Sequence, residues 1–170
     1  MTEIFGIPTQ ALFGQLLIGL INGAFYAMLS LGLAVIFGLL NIINFTHGAQ
    51  YMMGAFCAWF LLEKFGVGYW WSLLLVPFII GATGVVIERT MLSRLYKLDH
   101  LYGLLLTFGL ALVAQGLFTN YYGSSGQPYR LPQEFTGSFN LGFMFLPKYR
   151  AWVIVASLVV CLGTWFVIER

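Results

Sequence analysis

From Ile4 to Leu62 the chain carries no Asp, Glu, Lys or Arg, and uncharged sequence of that length belongs in a lipid bilayer. A hydrocarbon core of about 30 Å takes roughly 20 apolar residues per helix, so the run is two spans and not one. Lipid offers no partner to backbone N–H and C=O groups, which leaves the self-satisfied helix as the spanning element here. Near the end of the run stands Asn41-Ile42-Ile43-Asn44-Phe45-Thr46-His47-Gly48. Polar groups at membrane depth are costly unless they pair or line a wet cavity, so this cluster is a functional candidate.

Composition carries the same message along the whole chain. Hydrophobic residues make up 60% of it and charged residues 8%, against about 25% charged in a soluble domain. A net charge of +2, spread thinly, excludes nucleic acid as a partner and leaves membrane lipid. Cys57 and Cys161 sit in separate apolar runs without metal-ligand spacing. They read as small buried hydrophobes, and no metal or other cofactor is expected. Met1-Thr2-Glu3 lacks the positive start of a signal peptide, so the first span is expected to be retained.

The expected fold is an all-α polytopic bundle of about five spans, a single transmembrane domain over residues 1–170. The spans read as 10–31, 34–62, 71–87, 101–121 and 151–168, with Gly32 and Gly38 near the first reversal. Loop 88–100 holds Arg89, Arg94 and Lys97 close together, whereas loop 122–150 spreads Arg130, Lys148 and Arg150 over a greater length. Lys and Arg in short loops mark the cytoplasmic side. Loop 88–100 is therefore expected inside, and loop 122–150 and the N-terminus outside. Tyr69-Trp70-Trp71, Tyr121-Tyr122, Tyr149 and Trp152 fall on the outer side as an interfacial belt would. Val-Ile-Glu-Arg closes an apolar span at 86–89 and again at 167–170, and two intervening spans put both copies on one face. The outer loop opens with the turn sequence Gly-Ser-Ser-Gly-Gln-Pro. Its second part, bounded by Gly137 and Pro147, suits a hairpin or an interfacial segment.

Three spans carry polar faces. Asn22, Tyr26 and Ser30 recur every fourth residue in the first, beside the helix-packing pair Gly19 and Gly23 of a GxxxG element. Two readings stand for that face, a helix contact glued by polar groups or the lining of a pathway. Asn41, Asn44, His47 and Tyr51 share a face in the second span. Asn, Thr and Gly disfavour helix there, so 44–48 is a candidate unwinding whose freed amides and carbonyls would meet a zwitterion. The alternative is a structural lock between the spans. Thr107, Ala111 and Gln115 share a face of the fourth span and read as packing.

No span interior holds an acidic or basic residue, so the carboxylate relay of an ion-driven carrier is missing. No lysine completes a P-loop, and no potassium-filter sequence occurs. Gly123-Ser124-Ser125-Gly126 fits the GxSG pattern of intramembrane serine proteases. It lies in a loop away from either histidine, so no enzymatic activity is expected.

The stretch Gly19-Leu-Ile-Asn-Gly-Ala-Phe-Tyr-Ala-Met-Leu-Ser-Leu-Gly-Leu-Ala-Val-Ile-Phe-Gly38, followed by Asn44-Phe-Thr-His-Gly48 and Met53-Gly-Ala55, closely resembles the LivH-type permeases of branched-chain amino acid ABC importers. The resemblance implies part of a type II ABC importer permease fold in a bacterial inner membrane. It implies as partners a second permease subunit, two ATP-binding subunits that supply the energy, and a periplasmic substrate-binding protein. Asn22, Tyr26, Asn41, Asn44, His47 and Gly48 match signature positions, which raises their pathway reading to equal standing with the structural one. The family also includes permeases resembling urea and short-chain amide transporters, so the motif leaves the substrate open. A non-transporting membrane scaffold is the competing function. Family members continue with a segment that engages the ATPase. The expectation is therefore a C-terminally truncated member that does not transport as the 170-residue chain alone.

Overall fold

The computed structural model describes residues 3–4, 7–40, 44–142 and 145–169. Five long helices among the described residues carry the fold: α1 (Thr9–Leu40), α2 (Thr46–Phe65), α3 (Tyr69–Thr90), α4 (His100–Tyr122) and α5 (Lys148–Glu169). Among the described residues α1, α3, α4 and α5 are long and apolar enough to cross a membrane. Helix α2 does not reach that apolarity, because Thr46-His47-Gly48-Ala49-Gln50 opens it and Glu63-Lys64 lie near its end. The all-α polytopic architecture stands, with four strongly apolar helices and one more polar companion.

The first break differs from the expected one. Helix α1 runs unbroken through Gly32 and Gly38 to Leu40, where the reading above placed a reversal and a new span from residue 34. A glycine inside a helix costs only about 1 kcal/mol, and Leu31–Leu40 is otherwise continuous helix-compatible apolar sequence. The polar signal lies instead at the start of the next helix. Asn44 Oδ1 accepts the Thr46 N–H at 2.9 Å and the Thr46 hydroxyl as well, and α2 begins there. Residues 44–48 are thus a capped helix start and not an unwound turn within a span. Asn41 lies outside the described residues.

The other boundaries follow their local signals. Gly66, at φ +64°, ends α2 in the left-handed conformation. Its N–H donates to Leu62 O and that of Val67 to Leu61 O, both at 3.1 Å, closing the orphan carbonyls. Asp99 caps α4 by accepting the Leu101 N–H at 3.0 Å. Between them Tyr96 donates to Glu88 Oε1 at 3.2 Å. Partial burial, and then the neighbouring carboxylate, hold that phenol above its usual range.

Two compact units result, residues 1–31 with 131–170, and residues 32–130. In the first, β1 (Glu3–Ile4) pairs antiparallel with β2 (Ile7–Pro8), and β3 (Ser138–Asn140) pairs antiparallel with β4 (Phe145–Pro147). The β3–β4 pair is the hairpin that Gly137 and Pro147 suggested, and it runs directly into α5. Gly137 turns at φ +96° and its carbonyl accepts the Lys148 N–H at 3.1 Å. Phe135 stacks on Trp152 with centroids 5.7 Å apart. Ile21, Ala24, Leu146, Val153 and Ser157 form the buried centre, and the Ser157 hydroxyl donates to Ala24 O at 3.1 Å.

In the second unit α2 lies between α3 and α4. A Cβ built on Gly54 would sit 3.7 Å from Val76 and 3.9 Å from Ile80, and one built on Gly84 3.4 Å from Gln50 Nε2. Later residues of α2 therefore meet earlier residues of α3, an antiparallel pair joined by the short Gly66–Gly68 turn. Against α4 the order is the reverse. Phe45 meets Phe108 edge-on at 5.9 Å, and Trp59 meets Tyr122 at 5.6 Å, so α2 and α4 run parallel along their common length.

Candidate functional site

A cavity of about 320 Å³ opens between the start of α2 and the middle of α4. Phe45, Gly48, Ala49 and Met52 line it from one side and Phe108, Ala111, Leu112 and Gln115 from the other. It exists because the two helices present small residues to each other between the Phe45–Phe108 ring contact and a second group of rings further along. Phe56 lies 4.7 Å from Phe118 and 5.0 Å from Tyr122, and this ring stack sets the helix separation. One to three turns earlier the facing residues are Gly48, Ala49 and Ala111, too short to fill the gap.

The lining is mostly apolar, with two polar features. Gln115 contributes its amide. The start of α2 contributes backbone: the Thr46 and His47 N–H groups are taken by Asn44, and Gly48 beyond them keeps the backbone bare, with no described atom within 4 Å of a Cβ placed there. A helix N-terminus carries about half a positive charge. Aliphatic walls, one amide and a positive helix end suit a small amphipathic ligand with a carboxylate.

The predicted residues divide by unit. In the second, the structure brings Asn44, His47 and Gly48 together at the start of α2, and of these only Gly48 lines the cavity. Asn44 holds the cap through Thr46, which is itself buried. His47 points to the opposite side of α2, where a Cβ on Gly32 would fall 2.6 Å from its Cε1. Helix positions 47, 50 and 54 share one side and 45, 48, 49 and 52 the other, so the polar stripe and the cavity lining are different faces. Tyr51 is exposed. In the first unit Asn22 and Tyr26 are exposed, on the side of α1 away from buried Ile21 and Ala24. The packing expected at Gly19 and Gly23 has no counterpart among the described residues, since nothing lies within 4 Å of a Cβ on either.

Sequence reasoning passed over Phe45, Ala49, Met52, Phe108 and Leu112, which carry no polar signal. It noted Ala111 and Gln115 but assigned them to packing with Thr107. Thr107 is fully buried and donates to its own helix at Leu104 O, 3.1 Å, while its two neighbours on that face open onto the cavity. The small–polar spacing of Ala111 and Gln115 was the available signal.

Residues 15–170 match the family model described as the permease component of the branched-chain amino acid transport system. The high-affinity branched-chain amino acid transport system permease protein LivH of Escherichia coli (strain K12) is 27% identical over 150 residues, covering 84% of this chain and 47% of its own length. The LivH protein of Salmonella typhimurium shows the same identity and coverage. The BraD permease protein of Pseudomonas aeruginosa is 26% identical over 167 residues, covering 92% of this chain and 54% of its own length. The chain thus spans about half the length of the curated relatives it matches. No solved structure matches it. With nearly the whole chain matched and its helices apolar enough to cross a bilayer, this multi-pass bacterial membrane protein belongs to the family of branched-chain amino acid transport system permease components.

Proposed function

We propose that the chain forms part of the substrate pathway of an ABC importer for branched-chain amino acids. Its energy comes from two ATP-binding subunits, and it works beside a second permease subunit and a periplasmic substrate-binding protein in the bacterial inner membrane. The observation that carries this reading is the α2–α4 cavity, whose walls fit an aliphatic side chain and whose helix start fits an α-carboxylate. Gly48 borders the path, Asn44 and His47 hold its backbone, and Gln115 supplies a hydrogen-bonding amide. Asn22 and Tyr26, on the uncovered side of α1, face protein or a wet cavity in the assembly, since polar side chains facing lipid are costly. Loop 88–100 lies in the cytoplasm and loop 122–150 outside, as Arg89, Arg94 and Lys97 direct.

ATP-dependent leucine uptake into proteoliposomes holding this permease with those partners tests the reading. Ala111→Phe, which fills the cavity, is expected to cut the uptake rate at least about 10-fold, on the scale of a blocked binding contact, with subunit co-purification unchanged. Uptake at the unsubstituted rate overturns the pathway. Inhibition of leucine uptake by excess urea or acetamide would move the substrate class to amides.

A second reading rests on the Asn44–Thr46 hydrogen bonds, which give the Asn44 carboxamide oxygen its partners inside the chain. In it the polar cluster is scaffold. Asn44→Leu or His47→Leu then abolishes assembly, whereas a pathway role abolishes uptake in complexes that still assemble.

A further inference from the structure

Two polar side chains of α2, His47 and Gln50, lie one turn apart and each ends at a glycine of a neighbouring helix. The two glycines are not equally demanding. A Cβ on Gly84 of α3 would stand 3.4 Å from Gln50 Nε2, at the edge of ordinary contact. A Cβ on Gly32 of α1 would stand 2.6 Å from His47 Cε1 and 2.9 Å from Nε2, inside the hard limit for real Cβ atoms. A Cβ on Gly38, two turns further along the same helix, would meet no described atom within 4 Å. The backbone at Gly32 is ordinary helix, so its conformation does not call for glycine. What calls for it is the imidazole edge.

We propose that Gly32 is a positioning residue for the transport site. Its missing side chain is the seat that fixes the His47 ring, and through it the start of α2, against α1. The consequence reaches the cavity because His47 and Gly48 are consecutive, and the first turn of α2 presents the ring on one side and the cavity-lining backbone on the other. A methyl group at position 32 displaces the ring. Since the ring is the far end of a side chain, it swings away before the helices part. The cost therefore falls on placement more than on folding. This inference rests on the pathway reading above for its effect on transport, but the seat itself stands on geometry alone.

Histidine labelled with carbon-13 at Cε1 gives the direct readout, as the protein holds only His47 and His100. In the purified protein in detergent, Gly32→Ala is expected to move the His47 signal and leave the His100 signal in place. Gly38→Ala should move neither. In reconstituted transporter Gly32→Ala is expected to raise the KM for leucine several-fold with little change in maximal rate. In a His47→Ala background, where no ring is left to displace, the same substitution should leave KM unchanged. An unmoved His47 signal, or a KM effect of equal size with and without His47, overturns the seat. If Gly32→Ala does not fold, the comparison of Gly32→Ala/His47→Ala with His47→Ala decides alone, because a seat made for the ring predicts that the pair folds. Absence of leucine uptake by the unsubstituted transporter overturns the pathway reading, while the spectra still decide the seat.

Discussion

Asn44 shows how one side chain substitutes for a turn of helix. Its carboxamide oxygen takes the first N–H of α2 and the Thr46 hydroxyl, so helix α2 starts with that donor already paired. Asn44→Ala is expected to cost about 1 kcal/mol, seen as a lower thermal midpoint by circular dichroism in detergent. Asn44→Asp and Asn44→Ser keep an acceptor oxygen and should recover most of that loss; equal loss in all three would remove the cap from the account. The residue was legible in sequence as a polar group that needed a reason. Its partner was not, because an Asn before Thr at a helix start and an Asn on a helix face share one spacing.

Among the elements, α2 is the one whose ends are written most plainly and whose surroundings are least so. Gly66 closes it in the left-handed region at φ +64°, while Gly68, at φ −66°, is extended backbone open to any residue. Gly66→Ala is therefore expected to cost about 1 kcal/mol, the penalty for a Cβ in that conformation, and Gly68→Ala markedly less, by the same thermal midpoint. Matching losses would show that the turn, and not the conformation of Gly66, sets the cost. The boundaries of α3, α4 and α5 were legible to within three residues because Gly66–Gly68, Asp99 and Gly123 punctuate apolar runs. The end of α1 was not, since Gly32 resembles a break in sequence and serves as a contact surface in space.

For the molecule as a whole, the helix directions within residues 32–130 agree with one another. Antiparallel α2–α3 and parallel α2–α4 make α2 share the depth of α4 despite its polar opening. On the proposed orientation, in which Arg89, Arg94 and Lys97 mark the cytoplasmic side, a cysteine at Ser93 should resist a membrane-impermeant maleimide in intact cells and one at Ser124 should react, in a background lacking Cys57 and Cys161. The opposite labelling would invert the topology. The sequence by itself determined the bilayer as solvent, the helical class and the family, because those depend on composition, hydrophobic length and an ordered motif that no packing detail can undo. Only the tertiary structure decided where α1 ends, that α2 travels as a polar helix between two apolar ones, and that the cavity lies on the apolar face opposite the Asn-and-His stripe. Those outcomes depend on which small residue meets which ring across 60 or so positions of chain, and the spacing along one helix does not contain that pairing.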